Sequence, residues 1–354
     1  MKVVMHRPDG SVYVGQREQP VCGPRQVHCR VAFGWISSGT EGGFLRERRR
    51  SPVDDPKDYH LGYTGSGEVI AAGAEAPEFR PGMRVALYGS PYVYHGEELA
   101  VGRNLVVPLP PNVALMEASA VGIGAIALHG LRQIQIALGD VVVLYGLGPV
   151  GLIAAQLIEA MGGEVIAVDL LPARVAVAQS LLQGTALVAG TTDLAKLVRE
   201  RTRGRGADAV VLSTSGGQAV EEEIPTLLRD RGRISLTGGG AASILKMAGA
   251  DRKELEIKYV RAGGPGRRDA QYEVDGQDYP VGYVPWTENR NMEAIVRMLA
   301  RGKLKIAPII SHCFALDEAP AAFDLVVEHP EQTLGVVIDL SGGRHPRLPV
   351  RGAL

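Results

Sequence analysis

The hexapeptide Gly146-Leu147-Gly148-Pro149-Val150-Gly151 follows an all-apolar run, Val141 to Tyr145, and opens a segment, Val150 to Met161, with apolar residues at helical spacing. Few features constrain a fold more. The first glycine permits a tight strand-to-helix turn, the second lets backbone approach a pyrophosphate, and the third lets helix and strand pack closely. The helix start then offers unpaired N–H groups and partial positive charge to phosphate. An acid, Asp169, closes the next apolar run, Glu164 to Asp169, about 20 residues on, where it suits the two ribose hydroxyls of NAD. It would repel the 2′-phosphate of NADP, and Leu170 and Leu171 supply no cation; Arg174 nearby leaves room for a relaxed preference.

The same alternation continues downstream. Helical spacing over Pro172 to Leu182 is followed by a strand at Ala209 to Ser213 and a helix at Gln218 to Leu228. Strands at Arg233 to Leu236 and Leu255 to Val260 close the series. Strand, helix, strand in that order predicts an α/β fold with a parallel sheet wound on both faces. Ser213, Thr214 and Ser215, and Thr237 with Gly238, fall at strand ends, on the edge where such sheets take ligands; they also suit simple strand-end caps.

Upstream, residues 1 to about 118 read as β-rich: short runs at Gln26 to Ala32, Gly67 to Ala72 and Arg84 to Tyr88 are separated by turns such as Asp9-Gly10 and Pro81-Gly82. The charge run Arg46 to Arg50 reads as a solvated loop or helix face. After about Arg261 the chain turns polar, then predicts a helix at Met292 to Ala300 and a strand at Leu334 to Asp339. Lys+Arg 38 against Asp+Glu 39 and only 5% aromatic residues argue against nucleic-acid binding and against a polybasic membrane surface. Three scattered cysteines, Cys22, Cys29 and Cys313, make no disulfide framework and fit a reducing cytoplasmic setting. The N-terminus reads as a strand and turn rather than a leader, and no apolar run is long enough to span a bilayer.

The stretches LGYTGSGEVIAAG, RPGMRVALYG, GLGPVG with VIAVD, and GKLKIAPIISHCFALDEAPAAFDLV resemble the medium-chain dehydrogenase/reductase (alcohol dehydrogenase-like) family over nearly the whole chain. The resemblance implies a GroES-like catalytic domain from 1–118 and 262–354, a Rossmann NAD-binding domain from 119–261, and a homodimer joined through edge strands of the cofactor domain. Members of the alcohol-dehydrogenase branch mostly hold zinc with a Cys in C-G-[ST]-D and a His in G-H-E. Here the first motif reads Ser38-Gly39-Thr40-Glu41 and the second Gly62-Tyr63-Thr64. Serine, phenol and threonine make a poor zinc shell, since zinc takes thiolate, imidazole or carboxylate. No zinc is therefore expected. WISSGTE, GAIALHGLRQ and the segment from Gly263 to Met292 resemble a subgroup without the zinc ligands, which includes bacteriochlorophyllide dehydrogenases and the N-terminal halves of bi-domain sugar-type oxidoreductases. Gly263 and Arg268 stand where that subgroup usually has tyrosines.

Without a metal, a hydroxyl or acid must hold the substrate oxygen and pass its proton. Thr40 matches the family's proton-relay hydroxyl. Glu41 is a candidate base or a helix cap, and Tyr63 a candidate acid whose pKa would have to fall well below its usual ~10, or a packing residue. Ser38 joins this set, and His60, His95 and His129 are weighed as bases or metal ligands; each reads first as a satisfied structural histidine, His60 being the candidate base. Tyr272, Tyr279, Tyr283, Trp286 and Asn289, in the loop from Arg267 to Asn291, suit either a polyhydroxylated small-molecule substrate or an interdomain or dimer lobe. These readings together imply a zinc-independent, NAD(H)-dependent dehydrogenase acting on a secondary alcohol or ketone of a sugar- or cyclitol-like substrate. The alternatives are a quinone- or enoyl-reductase-like enzyme reducing a conjugated double bond, and a non-catalytic NAD-binding protein.

Overall fold

The computed structural model describes residues 1–55, 57–214, 217–238 and 252–354, so Ser215 lies outside the described residues. The chain forms two compact units, one from Met1–Ala125 with Gly263–Leu354 and one from Ile126–Ala262. The division falls within helix Val121–Gln133. No helix among the described residues is long and apolar enough to cross a membrane.

The Ile126–Ala262 unit is a parallel sheet. Among the described residues its strand order is Thr185–Val188, Glu164–Asp169, Val141–Tyr145, Ala207–Leu212, Leu228–Leu236, Glu256–Tyr259. The chain begins at the centre with Val141–Tyr145, steps outward twice, then returns to build the other half. That reversal makes a switch point beside the carboxyl end of the first strand. All five residues of Val141–Tyr145 are buried, the pattern of a strand covered on both faces. Helices Pro149–Ala160, Pro172–Leu181, Leu194–Arg201 and Gln218–Leu227 supply the crossovers. Thr185–Val188 and Leu194–Arg201 were not legible as elements in the sequence. The strand is a four-residue, half-buried edge, and the helix is eight residues long with its charged face to solvent.

The other unit is β-rich. Lys2–His6 pairs with Val12–Gln16 and Tyr59–His60 in a small antiparallel sheet. The larger sheet runs Ile310–Ala315, Gly335–Asp339, Gln26–Ile36, Thr64–Ala72, Arg84–Tyr88, Val106–Pro108, with Glu98–Gly102 also paired to Gln26–Ile36. Strand Gln26–Ile36 alternates in burial to Val31 and is then buried without interruption to Ile36. The sheet therefore turns from a half-solvated surface into the interior just before the SSGTE turn. Val27, Cys29, Val31, Leu87, Leu99, Phe323 and Ile338 belong to its core. The charge run Arg46 to Arg50 lies on helix Thr40–Arg50, where only Glu41, Gly42 and Leu45 are buried. Arg49 there pairs with Asp324 at 2.6 Å and Glu328 at 2.7 Å on helix Ala319–Glu328. The α/β architecture expected from the sequence, a β-rich GroES-like unit and a doubly wound Rossmann sheet, is thus present.

Candidate active site

In the parallel-sheet unit, Gly146 turns the chain with φ +93°, and its N–H donates to Val168 O at 2.8 Å. Ser213 Oγ donates to Gly146 O at 2.7 Å and Tyr145 O at 3.0 Å, so this strand-end hydroxyl braces the turn. A Cβ at Gly151 would stand 1.8 Å from Gly146 O, which excludes any side chain there. At Gly148 the reverse holds: a Cβ would meet no atom within 4 Å. Gly148 is also the N-cap of helix Pro149–Ala160, with Pro149 and Val150 in its first turn and no side chain capping it. Crowding at the first and third glycines and open space at the second is the arrangement a pyrophosphate needs, and the loop fits a dinucleotide.

Asp169, 8% exposed, holds that loop from the neighbouring strand. Its Oδ2 accepts the Leu147 N–H at 2.6 Å and its Oδ1 the Leu171 N–H at 2.8 Å. Each carboxylate oxygen keeps a second lone pair for a ribose hydroxyl. Arg174 is half-buried on the following helix, and Thr214 is half-buried beside Gly146. Thr237 Oγ1 lies 3.0 Å from Ser235 Oγ.

In the β-rich unit the SSGTE turn joins strand Gln26–Ile36 to helix Thr40–Arg50. Glu41 reaches back, its Oε2 accepting the Ser37 N–H at 2.8 Å, while the Thr40 N–H donates to Ser37 Oγ at 3.3 Å. The Tyr63 hydroxyl lies near the side chains of Ser37 and Thr40. Thr40 is exposed and Ser38 half-buried, so the cluster opens to solvent through Thr40. Burial pushes the Tyr63 phenol up to about 12, the nearby Glu41 carboxylate adds to this, and the neighbouring Ser37 and Thr40 side chains only partly oppose it. The lowered pKa that a Tyr63 acid would require is not what this environment produces; Tyr63 stays a phenol at neutral pH and serves as a hydrogen-bond donor.

Behind this cluster His95, 1% exposed, faces Glu41, 5% exposed, with Nε2 and Oε1 3.3 Å apart. Neither atom makes a hydrogen bond among the described residues, to the other or elsewhere, so the pair meets at contact distance only. The His95 ring lies on bare backbone, since a Cβ at Gly34 would be 2.3 Å from its Nδ1. From sequence alone His95 reads first as a structural histidine; the signal for its placement is a glycine inside the bulky run Val31-Ala32-Phe33-Gly34-Trp35-Ile36. His60 is placed differently. Its ring stacks on Tyr94 at 4.4 Å, and burial, with Arg17 next, pushes it down to about 4. It is neutral at physiological pH and makes no hydrogen bond to the hydroxyl cluster.

Of the positions that would carry zinc ligands, Thr64 is already engaged. Thr64 is buried, donates to Ser119 O at 2.9 Å and accepts the Gly122 N–H at 3.3 Å. Two hydroxyls and a phenol, from Ser38, Thr64 and Tyr63, are a donor set that does not fit zinc. Among the described residues no group of three or more His, Cys, Asp or Glu side chains is placed to hold a metal ion.

The polar loop divides into framework and surface. Tyr272 is 1% exposed and stacked on Tyr279 at 5.4 Å, and Tyr279 donates to Asp269. Asn289 Nδ2 donates to Asn104 O at 2.8 Å and Val106 O at 3.1 Å. Tyr272 and Asn289 therefore brace the loop rather than present themselves to a substrate; Tyr283, 89% exposed, and Trp286, 42% exposed, are on the surface. Gly263 has a local reason to lack a side chain: a Cβ would stand 2.8 Å from the Tyr88 ring, and its N–H donates to the Tyr88 hydroxyl at 2.9 Å. Glu288, which no local pattern in the sequence marks, is fully buried with neither carboxyl oxygen hydrogen-bonded among the described residues.

The family profile described as zinc-binding dehydrogenase matches residues 149–275. The chain is 22% identical over 373 residues to an uncharacterised zinc-type alcohol dehydrogenase-like protein of Escherichia coli K12, covering 96% of this chain and 99% of that protein. It is 26% identical over 333 residues to D-guloside 3-dehydrogenase of the same organism, covering 89% and 88%. Among solved structures, alcohol dehydrogenase from Thermus sp. ATN1 superposes with a TM-score of 0.76 at 25% identity, covering 96% of this chain and 99% of that one.

Proposed function

The chain belongs to the alcohol dehydrogenase-like medium-chain dehydrogenase/reductase family, and on that premise we propose that it is a zinc-independent, NAD(H)-linked dehydrogenase for a sugar- or cyclitol-like secondary alcohol or ketone. The observation that carries this reading is the cluster of Ser37, Thr40 and Tyr63 hydroxyls, which opens to solvent through Thr40. Bound nicotinamide would supply the hydride acceptor or donor. The loop from Gly146 to Gly151 holds the pyrophosphate on the N-terminus of helix Pro149–Ala160, and Asp169 takes the ribose hydroxyls and repels a 2′-phosphate.

Thr40 and Tyr63 hydrogen-bond the reacting oxygen, and Glu41 draws its proton away. Tyr63 remains a donor throughout the neutral range, so it stabilises negative charge growing on that oxygen. Tyr283 and Trp286 offer flat, exposed surfaces for a sugar ring. The sugar substrate named for the D-guloside 3-dehydrogenase relative supports this substrate class. The protein works as a homodimer in this reading, pairing through the edge strand Glu256–Tyr259.

The test is a panel of polyols and sugars assayed with NAD and NADP after exhaustive chelation, with elemental analysis of the same sample. Turnover with NAD and far less than one zinc per chain is the expected result. Stoichiometric zinc needed for turnover, or NADPH-dependent reduction of an activated double bond as in quinone or enoyl reductases, refutes it.

A further inference from the structure

We propose that His95 and Glu41 form a buried pair that receives the substrate's proton from the hydroxyl cluster, with His95 as the residue that positions Glu41 and shares that proton. The inference rests on the dehydrogenase reading and extends it to a residue outside the hydroxyl cluster. A buried carboxyl is costly unless its oxygens are satisfied. Glu41 Oε2 is satisfied by the Ser37 N–H, and Oε1 faces only His95 Nε2, at 3.3 Å. The imidazole is held for this contact. Its backbone N–H donates to Leu61 O at 2.8 Å, its carbonyl accepts the Val4 N–H at 2.8 Å, and Phe323 packs against its ring at 6.0 Å. Gly34 on one side and Gly62, with φ +112°, on the other leave room that any Cβ would take, at 2.3 Å from the ring and 2.6 Å from the His95 backbone N.

The titratable groups around the pair are Glu41 itself, Tyr63 and, further off, His60. Only Glu41 and His95 face each other with orphaned atoms. In the oxidative direction the substrate O–H bond breaks and its proton passes to a cluster hydroxyl, Thr40 or Tyr63. That hydroxyl releases its own proton to the second lone pair of Glu41 Oε2, and the Glu41–His95 pair holds it; the Ser37 backbone N–H orients Oε2 without taking part in the transfer. Each hydroxyl ends as it began, and reduction runs the same path backwards.

Two variants and one spectrum test this. His95→Gln keeps an amide in the pocket but cannot share a proton, and His95→Phe keeps the ring volume alone. With a turned-over polyol, both should lose kcat by ~10-fold or more and lose the acid limb of the kcat–pH profile, while KM and NAD affinity hold. Wild-type kcat and an unchanged pH profile in His95→Gln overturn the proposal. If no polyol is turned over, the dehydrogenase reading fails on its own, and the pair is still decided by side-chain 15N spectra of histidine-labelled protein. The His95 ring resonances should move in Glu41→Gln and stay put in a surface control such as Glu331→Gln. Identical His95 resonances in wild type and Glu41→Gln overturn the pair whatever the substrate.

Discussion

Glu41 and Glu288 hold nearly the same place in two helices of one unit. Each sits in the first turn, Glu41 second in Thr40–Arg50 and Glu288 first in Glu288–Ala300, and each is buried. The helix N-terminus favours a carboxylate at both. They differ in what meets the oxygens. Glu41 has the Ser37 N–H on one and His95 opposite the other. Glu288 has a hydrogen bond to neither, and the Arg267 guanidinium that could neutralise it lies 2.6 Å from Glu273 instead. Burial first, and repulsion from Glu273 second, push Glu288 up to about 8. Position in a helix therefore does not decide whether a buried acid can carry charge. The partner opposite each oxygen does, and it separates an acid that can work with protons from one that simply keeps its own.

The largest expected effect is on Glu41. Glu41→Gln should lower kcat by on the order of 10³-fold with NAD affinity unchanged, whereas Glu288→Gln should leave kcat as it is. Equal losses in the two would erase the distinction, and steady-state kinetics on a responsive polyol reads it. Glu288 should declare itself in stability. Its pKa is raised above the unfolded value of 4.5, so the folded state holds a proton that the unfolded state has lost. Stability then falls as pH rises from near 5 to about 8 and levels off above. Glu288→Gln removes that fall, and denaturant unfolding at pH 5.5 and pH 8.5 should differ by roughly 3 kcal/mol less than in wild type. A parallel pH dependence in both proteins would show that Glu288 is ionised when folded.

Smaller effects sharpen the same contrast. Thr40→Val keeps the shape but removes the exposed hydroxyl of the cluster, and should cost ~10²-fold in kcat; Tyr63→Phe should cost less, since Thr40 still holds the oxygen. Near-wild-type turnover in Thr40→Val would take it out of the reaction. Asp169 is a third buried carboxyl, with both oxygens on backbone N–H groups. Asp169→Ala should weaken NAD binding ~10-fold and narrow its preference over NADP, measured by titrating both nucleotides. Tighter NADPH than NAD binding in the wild type would refute the ribose assignment.

The parallel-sheet unit was legible because its signals are contiguous. A strand, three glycines at fixed spacing, a helix and an acid about 20 residues on state both fold and ligand geometry within one short segment. The edge strand Thr185–Val188 escaped because four residues, only Ala186 of them fully buried, carry too little periodicity to register. In the other unit Thr40, Glu41 and Tyr63 were legible as chemistry through their motif positions, but not in their roles. Whether Tyr63 could act as an acid depended on how deeply the fold would bury it, which no local pattern reports.

The chain's own order of residues determined the dinucleotide loop, since a Cβ at Gly151 would strike Gly146 O within the same turn. The resemblance to the family's motifs sets Ser38, Tyr63 and Thr64 at its zinc-ligand positions, and that too is read from sequence alone. Only the tertiary structure decided the partners. Residues 41 and 95 lie far apart along the chain and meet because strand Gln26–Ile36 presents bare backbone at Gly34 for the His95 ring. Tyr272, alike in type to exposed Tyr283, is withdrawn from the surface by packing, and Asn289 is tied down by the carbonyls of Asn104 and Val106. Protonation and exposure are set by the dielectric and by partners across the fold, whereas a backbone turn is set by its immediate neighbours.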